Sequence, residues 1–85
     1  MYISTLDSKI VGKVIAVCRQ QRDLSQEIVS GLAGIGRSHL SAIERGERKP
    51  TLETLYRISI ALNMNMSDIV MLIEAEIKKE NHTEL

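Results

Sequence analysis

Apolar residues recur along this chain at the spacing of a helix face, and glycines or small polar residues break the recurrence into short runs. Val11, Val14, Ile15 and Cys18 fall at i, i+3, i+4 and i+7, with Lys13, Gln20 and Gln21 elsewhere. That spacing lines one side of a helix of 3.6 residues per turn. No stretch alternates strictly between apolar and polar, as a half-buried strand requires. The pattern predicts an all-α fold of five helices with short connections. Helix one covers 8–22 and closes near Asp23. Ser25 N-caps a short second helix over 26–33, and Gly34 ends it as a left-handed terminator. A third helix covers 37–45 and stops at Gly46. GERKP (46–50) is a basic loop. Thr51 caps a fourth helix that turns Leu52, Leu55, Ile58, Ala61 and Leu62 inward, and Asn63 ends it. Ser67 caps a fifth over 68–79, and NHTEL (81–85) frays.

With 85 residues the chain makes one domain, 1–80, and not two. It has two Tyr, no Phe and no Trp, so aliphatics build the core. A base-stacking platform for single strands, which needs several aromatics, is excluded. The net charge is zero, but it is unevenly spread. Residues 1–57 hold nine Lys/Arg against six Asp/Glu, and residues 58–85 hold two against five. The basic surplus lies where phosphate contacts can form, and the last part is acidic. Cys18 is the sole cysteine; it reads as core packing. No Cys/His set has zinc spacing, so no metal and no cofactor are expected. No signal-peptide pattern or apolar run near 18 residues appears. A cytoplasmic protein with no membrane partner is expected.

Residues 30–40, SGLAGIGRSHL, hold three glycines, Gly31, Gly34 and Gly36. A phosphate loop needs a preceding strand and a spacing such as GxGxxG or GxxxxGK[ST]. Here His39 stands where the third glycine belongs, and no Lys-Ser/Thr follows. No nucleophile–base set or carboxylate pair appears, so the chain is not read as an enzyme. A hinge between two helices fits better. A DNA-reading helix-turn-helix needs a small residue at the crossing, a glycine-like turn, apolar residues locking the pair, and a polar outer face. Over 26–45, Ser30 is the small residue and Gly34 the turn. Val29, Ala33, Ile35, Leu40 and Ile43 are the lock. Arg37, Ser38, His39, Ser41 and Ala42 remain for the groove.

The stretch LSQEIVSGLAGIGRSHLSAIERGERKPTLETLYRISIAL resembles the lambda-repressor-like, Xre/Cro family of helix-turn-helix regulators. Upstream, VGKVIAVCRQQRDLSQ resembles that family's first helix, so the likeness covers 9–73. Three positions depart from the family's usual pattern: Ser30 for alanine, Gly31 for a helix former, and Gly36 for a serine cap. The resemblance implies base reading by Arg37, Ser38, His39, Ser41 and Ala42. Arginine can pair with guanine, and alanine can pack on a thymine methyl. It implies phosphate contacts from Ser25, Gln26, Arg45, Arg48 and Lys49, and a structural ion pair between Arg19 and Glu44. No small-molecule ligand is expected.

Surplus apolar residues lie near the C-terminal end. Ile60, Met66, Ile69, Val70, Ile73 and Ile77 are expected to form a two-fold homodimer interface. A homodimer sets two reading helices one DNA turn apart, on a near-palindromic operator. The expected function is a transcriptional regulator, autoregulatory like restriction–modification controller proteins or small phage repressors. The alternative is an antitoxin-type module that binds a toxin and, secondarily, DNA. Its mark is a sticky tail or an exposed groove.

Overall fold

A computed structural model describes residues 4–82. Five helices follow one another: α1 (Ser8–Gln21), α2 (Gln26–Ala33), α3 (Arg37–Glu44), α4 (Leu52–Ala61) and α5 (Met66–His82). The described residues hold no strand. Side chains start three of the helices. Asp7 accepts the Lys9 N–H, Ser25 the Ile28 N–H, and Thr51 the Thr54 N–H, at 2.8, 3.1 and 3.0 Å. Each such cap stabilises by about 1 kcal/mol. Gly36 opens α3 without a side-chain cap.

The helix ends share one device. Among the described residues, positive φ occurs at Asp23, Gly34, Gly46 and Asn63, one after each of the first four helices. At each, the next residue's N–H donates back five positions: Leu24 to Arg19, Ile35 to Ser30, Glu47 to Ala42 and Met64 to Ser59. This satisfies carbonyls that a helix end leaves bare, and a left-handed residue is what makes the bend. At Gly46 a side chain is excluded twice over: φ is +78°, and an added Cβ would lie 2.8 Å from the Lys9 Cα.

α5 differs from the sequence reading at both ends. It begins at Met66, so Ser67 lies inside the helix rather than capping it, and it continues through His82. Of the NHTEL segment, residues 81 and 82 are thus helical, not frayed; 83–85 lie outside the described residues.

α1 packs against α3 and α5, α2 against α3 and α4, and α4 against α5. Ile15, Val29, Leu40, Ile43, Ile58, Leu62 and Ile69 are fully buried between them. Cys18 is buried too, and desolvation raises its thiol pKa while Arg22 lowers it. Arg22 ties two helix ends together: its Nε donates to the Leu62 carbonyl at 2.8 Å and its Nη1 to the Cys18 carbonyl at 3.0 Å. Leu52 does not join the core; it is 72% exposed. Ser30 is buried, and its hydroxyl donates to the Glu27 carbonyl at 3.2 Å.

Gly31 is helical, and a Cβ added there meets nothing within 4 Å. Neither turn nor close packing requires glycine at this position. Gly31→Ala is expected to stabilise the protein by about 0.5–1 kcal/mol, through reduced entropy of the unfolded chain. Urea unfolding checks it; a loss of stability would mean that α2 needs its glycine.

Candidate nucleic-acid interface

α3 divides cleanly by face. Leu40 and Ile43 are fully buried, while Arg37 and Ser38 are exposed. At about 100° per residue, Arg37, Ser38, Ser41, Ala42 and Arg45 fall within an arc of about 140°, opposite Leu40 and Ile43. Ser41 and Ala42 are half-buried. His39 falls about 60° outside that arc, toward Ile43, and is half-buried. The helix thus groups four of the five base-reading candidates and sets His39 at the flank.

The root of α3 is held by one carboxylate. Glu44 receives Arg19 Nε at 2.8 Å on Oε2, and Arg19 Nη2 at 3.0 Å on Oε1. Gln26 Nε2 also donates to Oε1, at 2.9 Å. Arg19 Nη1 donates to the Leu24 carbonyl at 2.8 Å. The Arg19 and Glu44 side chains are 13% and 5% exposed, and the hydrogen bond to Glu44 raises the Arg19 pKa above its ordinary value. The ion pair joins α1 to α3, and Gln26 brings α2 into the same network. Sequence reading placed Gln26 on phosphate. Its amide has two N–H donors, so one bond to Glu44 leaves one donor and the backbone N–H for an anion. Ser25 is exposed beside it, its oxygen engaged by the Ile28 N–H.

Arg45 has a partner that the sequence reading did not assign. Its Nε and Nη2 donate to Glu47 at 2.8 and 3.0 Å, and its Nη1 donates to Ser41 Oγ. Arg48 and Lys49 are exposed on the loop beyond. The loop also lies against Lys9, whose backbone abuts Gly46. Lys9 therefore joins the basic group around the α3–α4 loop. Sequence reading missed it, because no spacing rule connects the start of α1 with a loop 37 residues away.

The expected dimer residues separate. Ile69 and Ile73 are buried within their own protomer, and Met66 and Ile77 pack against the same core. The physical reason is that α5 lies on both α1 and α4, so its i, i+4, i+8 stripe is consumed internally. Only Ile60 and Val70 of the expected set are exposed, at 60% and 39%. Met71 and Leu72 are exposed beside Val70. Ile60 continues an apolar stripe on α4 with Leu52 and Tyr56, and it lines a surface groove with Leu32 and Tyr56.

Among the described residues, no group of His, Cys, Asp or Glu is placed to hold a metal ion. No single helix there is long and apolar enough to cross a membrane.

A helix-turn-helix family model matches residues 15–69. The HTH-type transcriptional regulator y4dJ of Sinorhizobium fredii is 39% identical over 62 residues, 73% of this chain and 80% of that protein. The restriction-modification controller protein C.AhdI from Aeromonas hydrophila has a TM-score of 0.73 at 28% identity, covering 76% of this chain and 98% of that one. The controller protein C.Esp1396I was solved as a tetramer in complex with its natural 35-base-pair operator. It has a TM-score of 0.78 at 24% identity over 87% of this chain and 97% of that one, a likeness of fold. The chain belongs to the helix-turn-helix family of DNA-binding transcriptional regulators, Xre/Cro-like in type, which includes controller proteins and is not a family of enzymes.

Proposed function

We propose that this chain is a cytoplasmic, sequence-specific regulator that binds double-stranded DNA as a homodimer on a near-palindromic operator and acts on its own promoter. The observation that carries the reading is α3 itself: its apolar side is sealed, its root is held by Glu44, and its polar arc is open. Arg37 and Ser38 read base edges from the first turn, with Ser41 and Ala42 one turn on. Arg48 and Lys49 hold phosphates, joined by the Gln26 donor that Glu44 leaves free. Ile60 and Val70, with Met71 and Leu72, are the apolar residues left for a second protomer. No cofactor or small molecule has a part in this scheme. The controller C.Esp1396I on its operator supports both the DNA and the self-association.

Selection of binding sites from random duplex DNA, with sizing of the complex, tests the proposal. A palindromic consensus bound by two protomers is expected, and no enrichment would overturn it. On the selected site, Arg37→Ala is expected to lower specific affinity by about 1–3 kcal/mol with unchanged folding. An unaltered site preference would remove Arg37 from base reading. The Leu32–Tyr56–Ile60 groove favours the second reading, a toxin-binding module. That reading predicts a stable complex with a protein encoded beside it, and DNA affinity that depends on the partner.

A further inference from the structure

Three features remain outside the proposed DNA contacts: the apolar groove on α2 and α4, a groove between α1 and α5 floored by Val14, Cys18 and Leu72, and the Arg45–Glu47 pair. Ile60 lines the first groove and Leu72 the second, and both already belong to the self-association proposed above. The ion pair is different, because it sits within the proposed interface and has a definite geometry.

Arg45 lies on the open arc of α3, one turn beyond Ser41. A guanidinium there is in position to grip a phosphate, yet both donors of one edge are taken by Glu47. Glu47 is not a loosely placed side chain. Its N–H donates to the Ala42 carbonyl at 2.9 Å, and the left-handed Gly46 between the two residues turns Glu47 back toward the helix end. The two side chains are 55% and 59% exposed. An ion pair so exposed contributes little to folding. Its hydrogen bonds raise the Arg45 pKa and lower that of Glu47, the directions that favour the charged form of each.

We propose that Glu47 is an internal counter-ion that withholds Arg45 from DNA and so limits the sequence-independent grip of the interface. This inference rests on the DNA-binding reading above. Sequence-independent affinity comes from cations that displace counter-ions from phosphate, and each one adds about one unit to the salt slope. Arg45 paired with Glu47 brings no net charge to the duplex. Base reading by Arg37 and Ser38 does not depend on the pair, so the pair lowers the grip on operator and on other DNA about equally and leaves base preference to α3.

The test is binding of a mixed-sequence DNA duplex across a salt series by the wild type, Glu47→Gln, Arg45→Gln and the double variant, with thermal unfolding as a check on folding. Glu47→Gln is expected to bind about three- to tenfold tighter near 0.1 M salt, with a slope steeper by about one. Arg45→Gln is expected to bind more weakly than wild type, since it leaves Glu47 bare beside the phosphates. The double variant is expected to return close to wild type in both affinity and slope. Glu47→Gln with unchanged affinity and slope would overturn the proposal. So would a double variant as weak as Arg45→Gln, because Arg45 would then be gripping phosphate despite Glu47. A wild type that binds no duplex even at low salt would remove the DNA-binding reading itself, and the inference with it.

Discussion

Gly12→Ala is expected to destabilise the fold by about 3 kcal/mol or more, although alanine is the better helix former. A Cβ at Gly12 would lie 2.7 Å from the Glu44 carbonyl oxygen and 2.9 Å from its carbon, and would also overlap the Ile43 carbonyl oxygen. These are backbone atoms of the last turn of α3, and they cannot swing aside as a side-chain tip can. Either α1 lifts away from α3 or the end of α3 distorts. Overpacking of this kind typically costs about 1–3 kcal/mol, sometimes more, and rigid backbone on the receiving side puts Gly12 at the upper end. The gain in helix propensity is about 1 kcal/mol and does not offset it. The internal control is Gly31→Ala, the same change in a neighbouring helix with open space around it and the opposite expected sign. Urea unfolding of both variants measures the contrast. A Gly12→Ala protein as stable as wild type would show that α1 is free to shift on α3.

The second large effect is expected at Glu44. Glu44→Ala removes the acceptor for two Arg19 bonds and one Gln26 bond and leaves a guanidinium only 13% exposed. Breaking one partner of a largely buried pair costs about 3–5 kcal/mol. In a domain of this size that lowers Tm by at least about 10 °C. Arg19→Ala is expected to cost comparable stability. The double variant should cost less than the sum of the two, because the stranded charge is gone. Additive losses would show that the two side chains do not act as a unit. Glu44 receives donors from both α1 and α2, so its loss also loosens the angle at which α3 is presented.

Much of this was legible in the chain itself. The helix spacing, together with Ser25, Thr51, Gly34, Gly46 and Asn63, placed the first four helices to within a residue or so, because caps and left-handed terminators act over a few neighbouring residues. The arginine and glutamate of the ion pair could be named only through the family resemblance. Glu47 and Lys9 escaped notice for different reasons. Glu47 lies within what reads as a basic loop, and only the bend at Gly46 turns it onto Arg45. Lys9 is distant in sequence and near only in the fold. α5 was misjudged in kind, since Ile69 and Ile73 looked surplus to one small core.

The order of helices, the ends of the first four, and the polar face of α3 were therefore determined by the sequence alone, through interactions that span one or two turns. How α1 seats its glycine on the α3 carbonyls, which α5 side chains remain for a partner, and whether Arg45 is free were decided only by the tertiary structure. The first two turn on which surfaces meet across long sequence separations, and the third on the bend at Gly46 that brings Glu47 back to Arg45; helix periodicity says which residues share a face but not what that face meets.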